Sequence, residues 1–268
     1  MTDAPPIVLT VAGSDPSGGA GLQADLKTFQ RHGGYGLAVP TLITVQNTLG
    51  VDGVELLSAD LVRAQLAALL GDVGPAAAKT GALGTPAVAQ AVGSFMEESD
   101  FPWVVDPVWL PSVGRPLAKG DVVGAYQDAL LPRAALVTPN ADEAALLAEI
   151  PVRTLGDARD AAKRIEDLGA SAVLVKGGHL QGDAKGTDLL LHEGRFLELP
   201  AAEVVPGRFH GTGCALSAAI AVHLASGSDI PTAVREAKAW LTGSLAHALT
   251  LGGGALSVNH FWHLEQKA

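Results

Sequence analysis

Short apolar runs that each stop at small or polar residues, with helical patterns between them, constrain this chain more than any other feature. The runs at 7–12, 37–45, 103–108, 134–137 and 172–175 are rich in Val, Leu and Ala. Continuous apolar character over such lengths is what a strand buried on both faces requires. Between and after them, helical periodicity predicts helices over 21–31, 59–70, 86–96, 142–149, 155–168, 212–225 and 231–249. In the fifth of these, Ala158, Ala161, Ala162, Ile165 and Leu168 share one face and charges take the other. Strand-then-helix repetition predicts an α/β chain with a doubly wound, mostly parallel sheet. The runs 189–191 and 195–199, joined by His192-Glu193-Gly194, predict a β-hairpin added to it. No repeat or Pro/Ser linker divides the sequence, so residues 1–268 are expected to form a single domain.

Hydrophobic residues make up 48% of the 268 and charged residues 17%, which is material for a large core. The formal net charge of −10 argues against nonspecific nucleic-acid binding, which needs clustered cations. It leaves room for a small phosphorylated ligand held by local donors. The one cysteine, Cys214, excludes an intrachain disulfide and a cysteine-based zinc cluster, and fits a reducing cytoplasm. The opening Met-Thr-Asp-Ala-Pro-Pro lacks the plan of a secretory signal, and no run reaches the ~18 apolar residues of a membrane helix. A soluble, cytoplasmic protein without nucleic-acid or membrane partners is expected.

In open α/β sheets, ligands bind beyond the C-terminal ends of the strands. The polar residues here follow the apolar runs: Ser14-Asp15-Pro16-Ser17-Gly18-Gly19, Gln46-Asn47-Thr48, Asp106-Pro107, Thr138-Pro139-Asn140 and Lys176-Gly177-Gly178-His179. Five strand ends thus converge on one rim. Gly19-x-Gly21-x-x-Ala24 is only a weak dinucleotide fingerprint, set back from its strand and lacking the acidic residue ~20 positions on. No Gly-Lys pair exists, so there is no P-loop. A phosphate must meet another loop, and His210-Gly211-Thr212-Gly213-Cys214 is the candidate. Gly211 and Gly213 remove bulk, the amides of 211–214 can converge on an anion, and the following helix adds about half a positive charge. A glycine-rich loop that only turns the chain is the plain alternative.

Cys214, in the first turn of that helix, is expected to have its pKa drawn down from ~8.5 toward the range of general bases, with nearby phosphate charge opposing the shift. A small buried hydrophobe is the bland reading of a lone thiol. Lys176 ends a buried run beside two glycines, placed to meet a phosphate. Asp106, Asn140 and Glu143 offer the hard oxygens that Mg²⁺ prefers, although Asn140 and Glu143 would also make an ordinary helix start. Gln46, donor and acceptor together, and Asp25, on a helix just past the glycines, suit a flat heterocycle. Asp15 reads as a turn residue. His260-x-x-His263, without a third ligand nearby, reads as a surface or stacking pair.

Four stretches carry a resemblance: Ala12-Gly-Ser-Asp-Pro-Ser-Gly-Gly-Ala-Gly-Leu-Gln-Ala-Asp-Leu-Lys-Thr, Thr138-Pro-Asn-x-x-Glu-Ala, Val175-Lys-Gly-Gly-His and His210-Gly-Thr-Gly-Cys. Together, in collinear order from residue 7 to about residue 261, they resemble the hydroxymethylpyrimidine/phosphomethylpyrimidine kinases of thiamin biosynthesis. The resemblance implies a ribokinase-like three-layer α/β/α fold, ATP as co-substrate, Mg²⁺ and a homodimer. It implies two steps. The hydroxymethyl group of 4-amino-5-hydroxymethyl-2-methylpyrimidine is phosphorylated, and the monophosphate then becomes the diphosphate. Carried onto this sequence, it implies Cys214 as the base, where many relatives have Asp, with Lys176, Gly211 and Gly213 as its catalytic neighbours. It implies Asp25, Gln46, Gly13, Val108 and Ala82 around the pyrimidine. Asn140, Lys176, Thr212 and Asp188 would surround ATP, and Asp106 and Glu143 would act at Mg²⁺.

Some positions depart from the family's habit. Ala82 and Trp109 each stand where the family usually has Met, Ala215 where it usually has Thr, and the 252–260 tail lacks the usual His-Gly pair. A large residue gained near one lost is either a volume exchange or a reshaped pocket. The nearest alternative reading is a pyridoxal kinase, whose substrates also carry a primary CH₂OH group. A vitamin-binding module without turnover is the more distant one.

Overall fold

The computed structural model describes residues 4–109, 115–201 and 205–262. Strand β1 (Ile7–Ser14) leads through a glycine-rich turn into α1 (Gly21–Arg31), after which β2 (Tyr35–Asn47) and β3 (Gly50–Leu56) form an antiparallel pair. Next come α2 (Ala59–Leu70), β4 (Ala77–Thr80), α3 (Pro86–Glu98) and β5 (Trp103–Val105). The short helix α4 (Val122–Ala125) continues in looser turns to Arg133, followed by β6 (Leu136–Val137), α5 (Ala141–Ala148), α6 (Leu155–Asp167) and β7 (Ala172–Val175). The expected hairpin is present as β8 (Asp188–His192) and β9 (Arg195–Leu199). The chain closes with β10 (Phe209–His210), α7 (Thr212–Ala225), α8 (Ile230–Ala246) and β11 (Leu256–Ser257), β10 pairing with β11.

Nine strands make one sheet in the order β3-β2-β1-β4-β5-β6-β7-β8-β9. The six from β2 to β7 are parallel, and antiparallel neighbours cap both ends. Alternate strand residues feed two cores. Leu9, Val11 and Val105 pack with α2, α3, α5 and α6 on one face. Val8, Val104 and Leu174 pack with α1, α7 and α8 on the other. This is the three-layer α/β/α, ribokinase-like architecture, and it explains why the strands read as unbroken apolar runs.

Three segments escape the apolar-run reading. Gly50, Asp52, Gly53 and Glu55 disguise β3, whose partner strand supplies its pairing. The segment from Val122 to Arg133 packs Tyr126, Leu130 and Leu131 into the core without a regular helical period. Strand β4, Ala-Ala-Lys-Thr, carries a lysine yet lies beside β1 in the sheet centre. Lys79 is fully buried there because Asp25 of α1 faces it, with both carboxylate oxygens 3.1 Å from Nζ.

The chain passes outward from β1 to β2, then returns across β1 to β4. Topology therefore reverses between β1 and β4, where a crevice opens at the strands' C-terminal ends.

Candidate active site

A cleft of about 220 Å³ occupies that crevice. Its walls come from the ends of six parallel strands: Gly13, Ser14 and Asp15 after β1, Thr44 and Gln46 of β2, Gly81 and Ala82 after β4, Asp106 and Val108 after β5, Asn140 after β6, and Lys176 after β7. The loop into α7 closes it with His210, Gly211, Thr212, Gly213 and Cys214. Of the residues expected at the site, all but Asp25 and Asp188 line this one cavity.

One end is built for an anion. Helices α2, α3, α4, α5, α6 and α8 each begin with a side chain that accepts from their first turn. Three helices open onto the cleft; α5 is capped there by Asn140, whereas α1 and α7 begin with Ala20 and Gly211 and have no such cap. Their first N–H groups are left without an intrahelical partner, and those of α7 face the cleft. Gly211 holds φ +80°, and a Cβ there would meet the Gly19 carbonyl oxygen at 1.8 Å. Only glycine allows this approach of two loops. Beside the α7 terminus, the Lys176 ammonium lies 2.8 Å from Asp106 Oδ1 and 3.6 Å from Glu143 Oε2.

Asp106 is fully buried and also accepts from Thr138 Oγ1 at 3.1 Å and Ser217 Oγ at 3.2 Å. Burial opposes its ionisation, but Lys176 and Lys79 outweigh that and hold its pKa below the ordinary carboxylate value. The same burial pulls against the Lys176 ammonium, and the two carboxylates beside it raise its pKa instead. Glu143 behaves differently. Burial pushes it up to about 7, with Asp106 adding to the rise and Lys176 opposing it. It also completes a capping box with Asn140, Asn140 N donating to Oε2 at 2.7 Å and Glu143 N to Asn140 Oδ1 at 2.9 Å. Both readings of that pair therefore hold: it starts α5 and it faces the cleft.

Cys214 stands at the junction. The residue is half-buried and lines the cleft, and its thiol accepts a hydrogen bond from Gly21 N, the first amide of α1. Helix position alone predicted a lowered pKa. The structure reverses this: burial pushes the thiol up to about 11, Asp25 and Asp106 add to the rise, and Lys79 and the Gly21 amide only partly offset it. Desolvation of a thiolate outweighs a helix terminus when carboxylates lie close by.

The other end is nearly uncharged: Gly13, Leu42, Thr44, Gln46, Ala82, Val108 and Leu117 surround it. Ala82 packs with Leu42 and Leu117 in this wall. Trp109 is not among the cleft-lining residues: its ring turns into the core and meets Tyr126 edge to face at 5.5 Å.

Two residues expected at the site do not line the cleft. Asp25 is fully buried, bonded to Lys79 and to Thr10 Oγ1 at 2.6 Å. Asp188 is also outside the cavity, its oxygens taken by Gly177 N at 2.8 Å and Lys238 Nζ at 2.6 Å, so it braces the Lys176 loop from behind. His210 and Asp15 are the residues that sequence reasoning passed over. Asp15 is far more than a turn residue: it accepts from Ser17 N, Ser17 Oγ and Ala20 N, each at 2.9 Å, and meets His210 Nε2 at 2.8 Å. His260 is buried against Trp240 and Phe261, while His263 lies outside the described residues. Among the described residues, no group of three or more His, Cys, Asp or Glu side chains is arranged to hold a metal ion.

The family model for phosphomethylpyrimidine kinase matches residues 15–259, a stretch that contains most of the cleft-lining residues. The chain belongs to the phosphomethylpyrimidine kinase family. The hydroxymethylpyrimidine/phosphomethylpyrimidine kinase of Streptomyces coelicolor is 42% identical over 262 residues, 98% of this chain and 97% of that protein. Two solved structures of kinases share the fold. An ADP complex of Bacillus subtilis pyridoxal kinase superposes with a TM-score of 0.89 at 32% identity, covering 97% of this chain and 98% of that one. Phosphomethylpyrimidine kinase from Clostridium difficile superposes with a TM-score of 0.78 at 36% identity, covering 88% and 98%.

Proposed function

We propose that this chain transfers the γ-phosphoryl group of ATP to the hydroxymethyl oxygen of 4-amino-5-hydroxymethyl-2-methylpyrimidine, and then phosphorylates the monophosphate to the diphosphate. One observation carries the reading: uncapped α7 amides, Lys176, Cys214 and the amide of Gln46 line a single cleft. Phosphoryl transfer asks the protein mainly to position the reactants and to stabilise charge on the moving group. Lys176, Thr212 and the amides of Gly211–Cys214 take the phosphates, with Asn140 beside them. Gln46, Gly13, Val108 and Ala82 hold the ring. The acceptor hydroxyl then sits by Cys214, whose Sγ in its minority thiolate form takes the proton as the oxygen attacks phosphorus, so turnover should rise with pH toward the thiol's pKa of about 11.

Mg²⁺ fits as a partner of ATP rather than as a resident ion. Asp106 already accepts three hydrogen bonds and no multidentate cluster exists among the described residues. This suits a cation held by one or two carboxylates, waters and substrate phosphates. Asp106 and Glu143 would hold it, and it would supply neutralising charge on the phosphate oxygens. Ile43 and Val45 on the outer face of β2 are 48% and 65% exposed, and Leu49 beside them 63%. That apolar strip supports a homodimer, and a monomeric sedimentation profile at micromolar concentration would contradict it. None of the helices among the described residues is long and apolar enough to cross a membrane. With one free cysteine and no disulfide, this supports a cytoplasmic setting.

Pyridoxal phosphorylation is the second reading, favoured by the TM-score of 0.89 to a pyridoxal kinase. Product formation with Mg-ATP and each acceptor side by side decides between them. The proposal expects pyrimidine monophosphate, then diphosphate. Pyridoxal 5′-phosphate with an untouched pyrimidine would overturn it.

A further inference from the structure

A single nitrogen, His210 Nε2, lies 2.8 Å from Asp15 Oδ2 and 2.9 Å from Nε2 of the Gln46 amide, whose nitrogen and oxygen exchange places on a half-turn. One ring nitrogen carries either a proton or a lone pair, so it cannot donate to one partner and accept from the other. Asp15 settles which. Its carboxyl is 3% exposed and accepts from Ser17 and Ala20. Oδ2, the oxygen that faces His210, already accepts from Ser17 Oγ and Ala20 N, and Oδ1 accepts from Ser17 N, so both oxygens are placed as acceptors independently of His210. An ionised carboxylate only accepts, so His210 must carry its proton on Nε2. The ring cannot swing away, because it packs on Gly19, where a Cβ would meet His210 Cδ2 at 2.6 Å.

We propose that His210 is a positioning residue that turns the Gln46 amide, so that Gln46 Oε1 accepts from Nε2–H and the Gln46 NH₂ group faces the ring end of the cleft. The two amide orientations have the same shape and differ only in hydrogen bonding. In the orientation set by His210, Gln46 donates to a ring nitrogen, and the second lone pair of Oε1 accepts from an adjacent exocyclic amino group. That pattern selects an amidine edge, an acceptor nitrogen beside an amino group, as glutamine does on the adenine edge. A 4-oxo edge in its lactam form presents N–H and C=O in the reverse order and meets two mismatches. The inference deepens the ring-binding role given to Gln46 above and rests on it for the choice of ligand, though not for the proton on His210.

Two measurements test it on the intact protein. The first is ¹⁵N NMR of the imidazole nitrogens, which needs no ligand. A proton on His210 Nε2, in either the neutral or the doubly protonated ring, is expected; a bare Nε2 with the proton on Nδ1 overturns the proposal. The second is calorimetric binding, without ATP, of 4-amino- and 4-oxo-5-hydroxymethyl-2-methylpyrimidine. The wild type should prefer the amino form by about tenfold or more. In His210→Phe, which keeps a flat ring but cannot donate, that preference should fall below about threefold as the amide turns freely. A preference that survives His210→Phe would show that His210 does not set the amide. Binding of neither ring to a wild type that does carry the Nε2 proton would defeat the ring reading, and the amidine preference with it.

Discussion

Cys214 is the sole thiol, so its ionisation can be read directly by alkylation. Burial and the nearby carboxylates place its pKa at about 11 against an ordinary 9.0. The difference corresponds to roughly 3 kcal/mol. At pH 8 the native thiolate fraction is then about one in a thousand, compared with about one in ten for an unperturbed thiol. Iodoacetamide should react about a hundredfold more slowly with native protein than with urea-unfolded chain at pH 8. The native rate should climb about tenfold per pH unit until it bends near 11. Because Cys214 lines the cleft, the plateau at high pH reports access of the reagent and the midpoint reports ionisation. Bound ATP should move the midpoint higher still, since phosphate charge disfavours a thiolate. A native midpoint below 9 would refute the reasoning and restore the helix terminus as the dominant influence.

Lys176→Ala would leave Asp106 buried without its closest cation, at a cost of roughly 3 kcal/mol or more. Urea unfolding should show that loss, and steady-state kinetics should show a raised KM for ATP with a lowered kcat; an unchanged ATP dependence would remove Lys176 from the phosphate end. His260 gives a pH signature. Burial depresses its pKa to about 4, while the unfolded chain protonates it near 6.5. The unfolded state therefore binds the extra proton as pH falls below 6.5. Stability is full above that value and is lost between 6.5 and 4, by roughly 3 kcal/mol in all. Denaturant melts across that window should lose this slope in His260→Phe, and an identical slope in the variant would contradict the assignment.

The α/β layering was legible because strands covered on both faces must be apolar throughout. Five strand ends could be placed on one rim from the sequence, and each of them contributes at least one residue to the cleft. Strand β4 was not legible, because a central strand containing Lys79 is stable only when Asp25, 54 residues earlier in the chain, is folded against it. That same pairing removes Asp25 from the ring site where the resemblance implied it would act. Proximity in sequence to a glycine-rich turn says nothing about which side of a helix faces solvent. The Cys214 ionisation failed for a similar reason: a helix terminus is visible in sequence, whereas burial and carboxylates from α1 and the end of β5 are not. His210 gave no signal of its own beyond belonging to a motif, since its role depends on Asp15, 195 residues away.

The account holds that phosphate and acceptor meet at Cys214, and Cys214→Ala tests this most directly. The variant should fold and bind ATP and the pyrimidine within about threefold of wild type. Its kcat should fall by a factor on the order of 10² or more, the usual scale for loss of a general base. Wild-type kcat in a folded Cys214→Ala protein would contradict the account and leave the cleft as a positioning site with no proton acceptor at Sγ.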